Sequence, residues 1–143
     1  MPDLLHGRSR AGPVRQERPV YLDLLPPCNA GCPAGENIQA WLSHTQAGRH
    51  EQAWRQLVAD NPLPAVHGRV CYHPCESVCN RADLDSAVSI HSVERFLGDL
   101  ALEQGWRFDA PAVRSGKRVL VVGAGPCGLS AAYHLSRLGH EVE

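Results

Sequence analysis

The chain has 143 residues, 43% of them apolar, and a formal net charge of −1. That length suffices for one ordinary domain or two small ones with a packed core, and the near-neutral balance argues against a nucleic-acid or membrane surface. No stretch has the apolar run of a signal peptide or of a membrane span, so the expected location is cytoplasmic. There thiols stay reduced, and clustered cysteines bind metal or catalyse rather than pair as disulfides.

In chain order, residues 1–22 hold four Arg and three Pro with little periodicity and read as an extended arm. The segment PPCNAGCPAG follows, with Cys28 and Cys32 four apart and Pro33 after the second. A bacterial ferredoxin run, Cys-x2-Cys-x2-Cys-x3-Cys-Pro, ends this way, yet the upstream RPVYLDLL contains no cysteine. Ile38, Trp41, Leu42 and Thr45 at helical spacing predict a helix over 37–47, stopped by Gly48. Ala53, Trp54, Leu57 and Val58 predict a second over 50–59. DNPLPAVHGRV reads as a break, because Pro62 and Pro64 cannot continue that helix.

CYHPCESVCNRA then places Cys71, Cys75 and Cys79 within nine residues. Pro74 argues against a helix running from Cys71, so the expectation is a loop around Cys71 entering a short helical turn at Cys75–Cys79. A third helix is predicted over 90–104, with Ile90, Val93, Leu97, Leu100 and Ala101 as its buried stripe. Residues 106–116 read as a linker. From Lys117 the character changes to an apolar strand, a glycine-rich turn, a helix and the start of another strand. A doubly wound sheet needs more than one and a half strands, so the expectation is the N-terminal piece of a longer protein, truncated at Glu143.

The five cysteines of the helical half leave three readings open. Zinc is one, with His73 as a further donor, although structural zinc sites favour Cys-x2-Cys knuckles that are absent here. Buried unligated thiols are another. An iron–sulfur cluster is favoured by the Cys-Pro ending together with three closely spaced cysteines farther along. Glu94 lies four residues after Ile90 and three before Leu97, at the edge of the buried stripe. A carboxylate there is costly without a partner; a solvated helix-edge Glu beside Arg95 is the alternative.

In VLVVGAGPCGLSAA, Gly123, Gly125 and Gly128, with Ala124 and Pro126 between them, form G-x-G-x-x-G after a strand and before a helix, the context a dinucleotide fold requires. Gly123 permits the tight turn, Gly125 lets backbone approach a pyrophosphate, and Gly128 lets helix pack on strand. The helix N-terminus favours the phosphates. Cys127 has no neighbouring cysteine and reads as a small helix-start residue.

Taken in order, CNAGCPAGENIQAWL, NPLPAVHGRVCYHPCESVCNRA, SIHSVERFLGD and VLVVGAGPCGLSAAYHL resemble the N-terminal part of the glutamate synthase small subunit family. They are similar also to the N-terminal region of dihydropyrimidine dehydrogenases and related flavin-dependent oxidoreductases. The resemblance covers roughly residues 20–143. It implies an α-helical iron–sulfur domain over 23–105, followed by the first, incomplete βαβ portion of a Rossmann-type α/β FAD-binding domain over 117–143.

It implies further that Cys32, Cys71 and Cys75 share one [4Fe–4S] cluster. Cys28 and Cys79 then belong to a second cluster whose other two ligands have no counterparts here. Glu94 matches the non-cysteine ligand of some relatives. The implied function is an NAD(P)H-dependent oxidoreductase, inactive as this piece alone. Electrons would pass between NADPH or NADH, FAD, one cluster and a partner protein or large subunit. No catalytic residue is assigned. The contrasting reading is a non-catalytic docking module whose metal, zinc or a degenerate cluster, serves folding.

Overall fold

The computed structural model describes residues 25–143; the expected arm at 1–22 lies outside them. Six helices make up the first part: α1 Pro27–Gly31, α2 Ile38–Gln46, α3 His50–Val58, α4 Pro64–Val70, α5 Pro74–Ser77 and α6 Ile90–Gln104, with a 3-10 turn at Asn80–Asp83. The second part is β1 Arg118–Val119, α7 Pro126–Arg137 and β2 Glu141–Val142, the two strands pairing in parallel. No helix among the described residues is long and apolar enough to cross a membrane.

The predicted helices over 37–47, 50–59 and 90–104 form as α2, α3 and α6. Asn37 caps α2 by accepting a hydrogen bond from Ala40 N at 3.3 Å. The break at DNPLPAVHGRV is half right. The prolines end α3, but Pro64 then starts α4, because proline at the first helical position forfeits only an N–H that has no partner there. Pro74 does the same for α5, so the turn opens one residue before Cys75 and closes at Ser77 rather than at Cys79. His73, directly before it, takes φ 55°, an αL backbone uncommon for a side chain of its size.

The core lies between α2, α3 and α6, where Ile38, Trp41, Ala53, Leu57, Cys75, Ile90 and Leu97 form one apolar cluster. A smaller cluster of Trp54, Val58 and Ala101 packs against Trp106. The ring of Trp54 stacks on Phe108, which meets Tyr133 of α7 edge-on, and Tyr133 Oη donates to Val58 O at 2.6 Å. The stretch expected as a linker therefore contributes packed side chains between α3 and α7.

Backbone proximity between α4 and α6 sets the geometry of everything around them. A Cβ on Gly98 would stand 2.3 Å from Ala65 N, and one on Gly68 would stand 2.6 Å from Arg95 N. Overpacking of this kind typically costs about 1–3 kcal/mol. Gly98→Ala is therefore expected to lower unfolding stability by about that amount, read as a shifted urea midpoint. An unchanged midpoint would show that the two helices separate without penalty.

Candidate metal centre

Four separate elements deliver side chains to one cavity of about 240 Å3. Cys32 is the C-cap of α1 and Cys71 the C-cap of α4, while Cys75 sits in α5 and Glu94 in α6. All four line the cavity, whose remaining wall includes Pro33, Ala34, Ile38, Pro74 and Ile90. Three thiols and the Glu94 carboxylate thus share a pocket whose wall also holds Glu36, Asn61, His67 and His73. That is the soft-ligand environment that iron–sulfur cores and zinc take.

Local sequence explains how the cysteines arrive there. Asn29, buried between Cys28 and Cys32, donates from Nδ2 to Asn37 Oδ1 at 3.1 Å and accepts from Gln39 N at 3.1 Å. The cysteine turn is thereby pinned to the start of α2. A Cβ on Gly31 would lie 2.7 Å from Val78 Cγ2, so its absence lets α1 settle on the turn that carries Cys75. Glu76 Oε1 accepts from His91 N at 2.9 Å and lies 2.7 Å from His91 Nδ1, which ties α5 to the start of α6. Burial opposes the charged form of Glu76, but the hydrogen bonds from His91 win and hold its carboxyl below the usual range. His73 lines the cavity as well, and its Nε2 is buried without a hydrogen-bond partner among the described residues.

Cys75 is buried, and desolvation, with lesser contributions from Glu76 and from the thiols of Cys32 and Cys71, pushes its pKa up to about 12. A metal ion's charge offsets such a penalty, because thiolate is the ligating form. Cys28 and Cys79 do not line the cavity. Burial raises the Cys28 thiol, with Cys79 and Cys32 near enough to add to the rise. Cys127 is exposed at the start of α7.

Glu94 is only 6% exposed, which excludes the solvated helix-edge alternative. Its Oε1 accepts from Asn61 Nδ2 at 2.7 Å, and the same nitrogen donates to Glu36 Oε1 at 3.0 Å. Asn61 Oδ1 accepts from Leu63 N at 3.1 Å and faces His67 Nδ1 at 2.7 Å. Glu36, Asn61 and His67 all line the cavity, and sequence reasoning missed all three. A usable signal existed for Glu36, a carboxylate three residues after Cys-Pro and two before a core isoleucine. Asn61, in the loop just before Pro62 and Pro64, offered none.

The glycine turn shows a telling asymmetry. Gly123 has φ 111°, and a Cβ on Gly128 would stand 2.0 Å from Gly123 O, so the chain itself requires both glycines. A Cβ on Gly125, the N-cap of α7, would meet nothing within 4 Å. Packing within the described residues thus leaves Gly125 free to carry a side chain.

With this geometry in place, the chain belongs to the iron–sulfur family described as dihydropyrimidine dehydrogenase domain II, 4Fe-4S cluster, which matches residues 23–106. An NAD(P)-binding Rossmann-like family matches residues 121–143. Glutamate synthase [NADH] of Schizosaccharomyces pombe is 42% identical over 113 residues, 78% of this chain and 5% of that protein. The glutamate synthase [NADPH] small chain of Bacillus subtilis is 41% identical over 114 residues, 79% of this chain and 23% of its own length. The NADP(+)-dependent formate dehydrogenase subunit beta of Moorella thermoacetica is 36% identical over 138 residues, 81% of this chain and 20% of that one. The chain thus spans between a twentieth and a quarter of the length of these relatives.

Burial, with the neighbouring Glu36 adding and the Asn61 amide opposing, raises the Glu94 carboxyl to about 8. Burial raises Glu36 too, against the hydrogen bond from Asn61. A carboxyl raised on folding stabilises the metal-free fold fully below its unfolded value, near 4.5, and loses that contribution as pH climbs through about 8. The urea midpoint of metal-free protein is therefore expected to fall between about pH 5 and pH 8. Glu94→Gln, which mimics the neutral acid, should remove much of that slope; equal slopes in both proteins would assign it to another group.

Proposed function

We propose that Cys32, Cys71, Cys75 and Glu94 hold one [4Fe–4S] cluster, and that the protein to which this chain belongs is an NAD(P)H-dependent oxidoreductase of the glutamate synthase small-subunit type. The single observation that carries the reading is the convergence of three thiols and one buried carboxylate, from four elements, on one cavity. When bound, the cluster takes up and returns one electron at a time, at a potential set by its ligands and surroundings. The chain's part is to hold it with thiolates on three sides, exclude water with Pro33, Ile38, Pro74 and Ile90, and present a harder oxygen donor on the fourth.

The glycine turn supports a dinucleotide at the start of α7, and we assign FAD to it, as the family resemblance implies. A nicotinamide site, NADPH or NADH, falls to residues outside this sequence. Electrons then run between nicotinamide, flavin, cluster and a partner protein or large subunit. The proposed organisation is a helical iron–sulfur domain at 23–105, a connecting segment at 106–116 and the start of the FAD-binding domain at 117–143. Cys28 and Cys79 do not line the cavity, and no cysteine precedes Cys28 to complete a second set of ligands, so a single cluster is expected.

Anaerobic reconstitution should saturate near four iron and four labile sulfide per chain, the content of one cluster, with a broad visible absorption. A colourless protein with stoichiometric zinc would replace this reading with the metal-stabilised docking module. Glu94→Ala is expected to yield a three-iron species by electron paramagnetic resonance. Glu94→Cys should keep four irons and lower the reduction potential, since thiolate donates more electron density. In the longer protein, Gly125→Val should abolish flavin occupancy; full occupancy would remove the FAD assignment.

A further inference from the structure

Glu94 can hold a metal through a defined oxygen only if something fixes its carboxylate, and one neighbour does so from a locked position. Leu63 N is a backbone donor, so the Asn61 atom that it meets at 3.1 Å must be the amide oxygen. The orientation of the Asn61 amide follows from that bond, and the His67 nitrogen facing the same oxygen at 2.7 Å must carry its proton on Nδ1. The two N–H groups of Asn61 are then committed to Glu94 Oε1 at 2.7 Å and Glu36 Oε1 at 3.0 Å. Asn61 is 2% exposed, and its own N–H donates to Leu57 O at 3.0 Å, so neither its side chain nor its backbone is free to swing. Glu94 Oε2 receives no hydrogen bond among the described residues.

We infer that Asn61 is the positioning residue of the metal centre: it ties down Oε1 of Glu94 and leaves Oε2 as the oxygen of that carboxylate offered to iron. The inference rests on the proposed Glu94 ligation. Glu36, held through its Oε1 by the other N–H of the same amide, lines the cavity beside Glu94. His67 and Leu63 act one step further back by setting which way the amide faces. A bidentate or freely rotating carboxylate would compete for the same iron with poorer geometry, and a buried carboxylate without its donor would lose a charge-assisted hydrogen bond.

The test compares Asn61→Ala in two backgrounds of the full chain, reconstituted anaerobically and read by electron paramagnetic resonance and iron content. In the wild-type background the three-iron fraction should rise several-fold, toward that of Glu94→Ala. In the Glu94→Cys background Asn61→Ala should have little effect, because a thiolate ligand needs no amide to orient it. The coupling between the two sites is the readout, since a role in folding alone would show in both backgrounds. Asn61→Asp, which keeps the side chain's volume but replaces the donor, should behave as Asn61→Ala does. Equal cluster loss in both backgrounds, through misfolding or otherwise, overturns the inference, as does a wild-type spectrum in Asn61→Ala. If instead Glu94→Ala itself retains four irons, it is the ligand assignment that fails.

Discussion

A carboxylate taken out of water inside a helical core is the constraint on which the rest of this structure depends. Glu94 sits on the face of α6 that also buries Ile90, Leu97, Gly98 and Ala101. Leaving a charge there unpaired is far costlier than any single apolar contact can return. The fold meets that cost with a hydrogen bond from Asn61 and by raising the carboxyl's pKa. A metal core with net positive charge on its irons relieves the same cost in another way. On the proposed reading, the features that make Glu94 a poor core residue would make it a good ligand.

Bringing Asn61 to Glu94 requires α4 to lie close against α6, and two glycines make that possible. Gly68 and Gly98 remove the side chains that would otherwise hold the two backbones apart. The same approach carries Cys71, at the end of α4, to the mouth of the cavity. Glu76 reaches across from α5 to the start of α6, so Cys75 and Glu94 are referenced to one helix. Packing and ligand placement are thus one problem, solved by backbone contact and a few buried hydrogen bonds.

The second part of the chain is joined to the first through side chains rather than through a loose tether. Trp54, Phe108 and Tyr133 form a short aromatic stack from α3 to α7, closed by the hydrogen bond from Tyr133 to Val58 O. Arg137 adds a contact to Ala59 O. These contacts engage the later turns of α7, while Gly125 and the open space beside it lie at its beginning. The aromatic contacts therefore hold the helix toward its C-terminal end, and its N-terminus is where the proposed dinucleotide's phosphates would be favoured.

Much of this was legible in the residues themselves. Helical periodicity located α2, α3 and α6, and the spacing of Gly123, Gly125 and Gly128 after an apolar strand declared a dinucleotide turn, because local backbone and packing rules act over a few residues. The order of Cys28, Cys32, Cys71, Cys75, Cys79 and Glu94 was enough to group three thiols with one carboxylate by family resemblance. What local rules could not decide was how proline would be used. Pro64 and Pro74 read as breakers, and in the fold each begins a helix, since the outcome depends on where the chain must turn to reach α6. Nor did periodicity separate Glu94 from Val93 as the more buried residue: in the fold the carboxylate is buried and Val93 only half-buried. Glu36, Asn61 and His67 are 25 and 6 residues apart along the chain and share no motif. Only tertiary packing brings them to one hydrogen-bonded group, because a buried carboxylate selects its partners by distance in space.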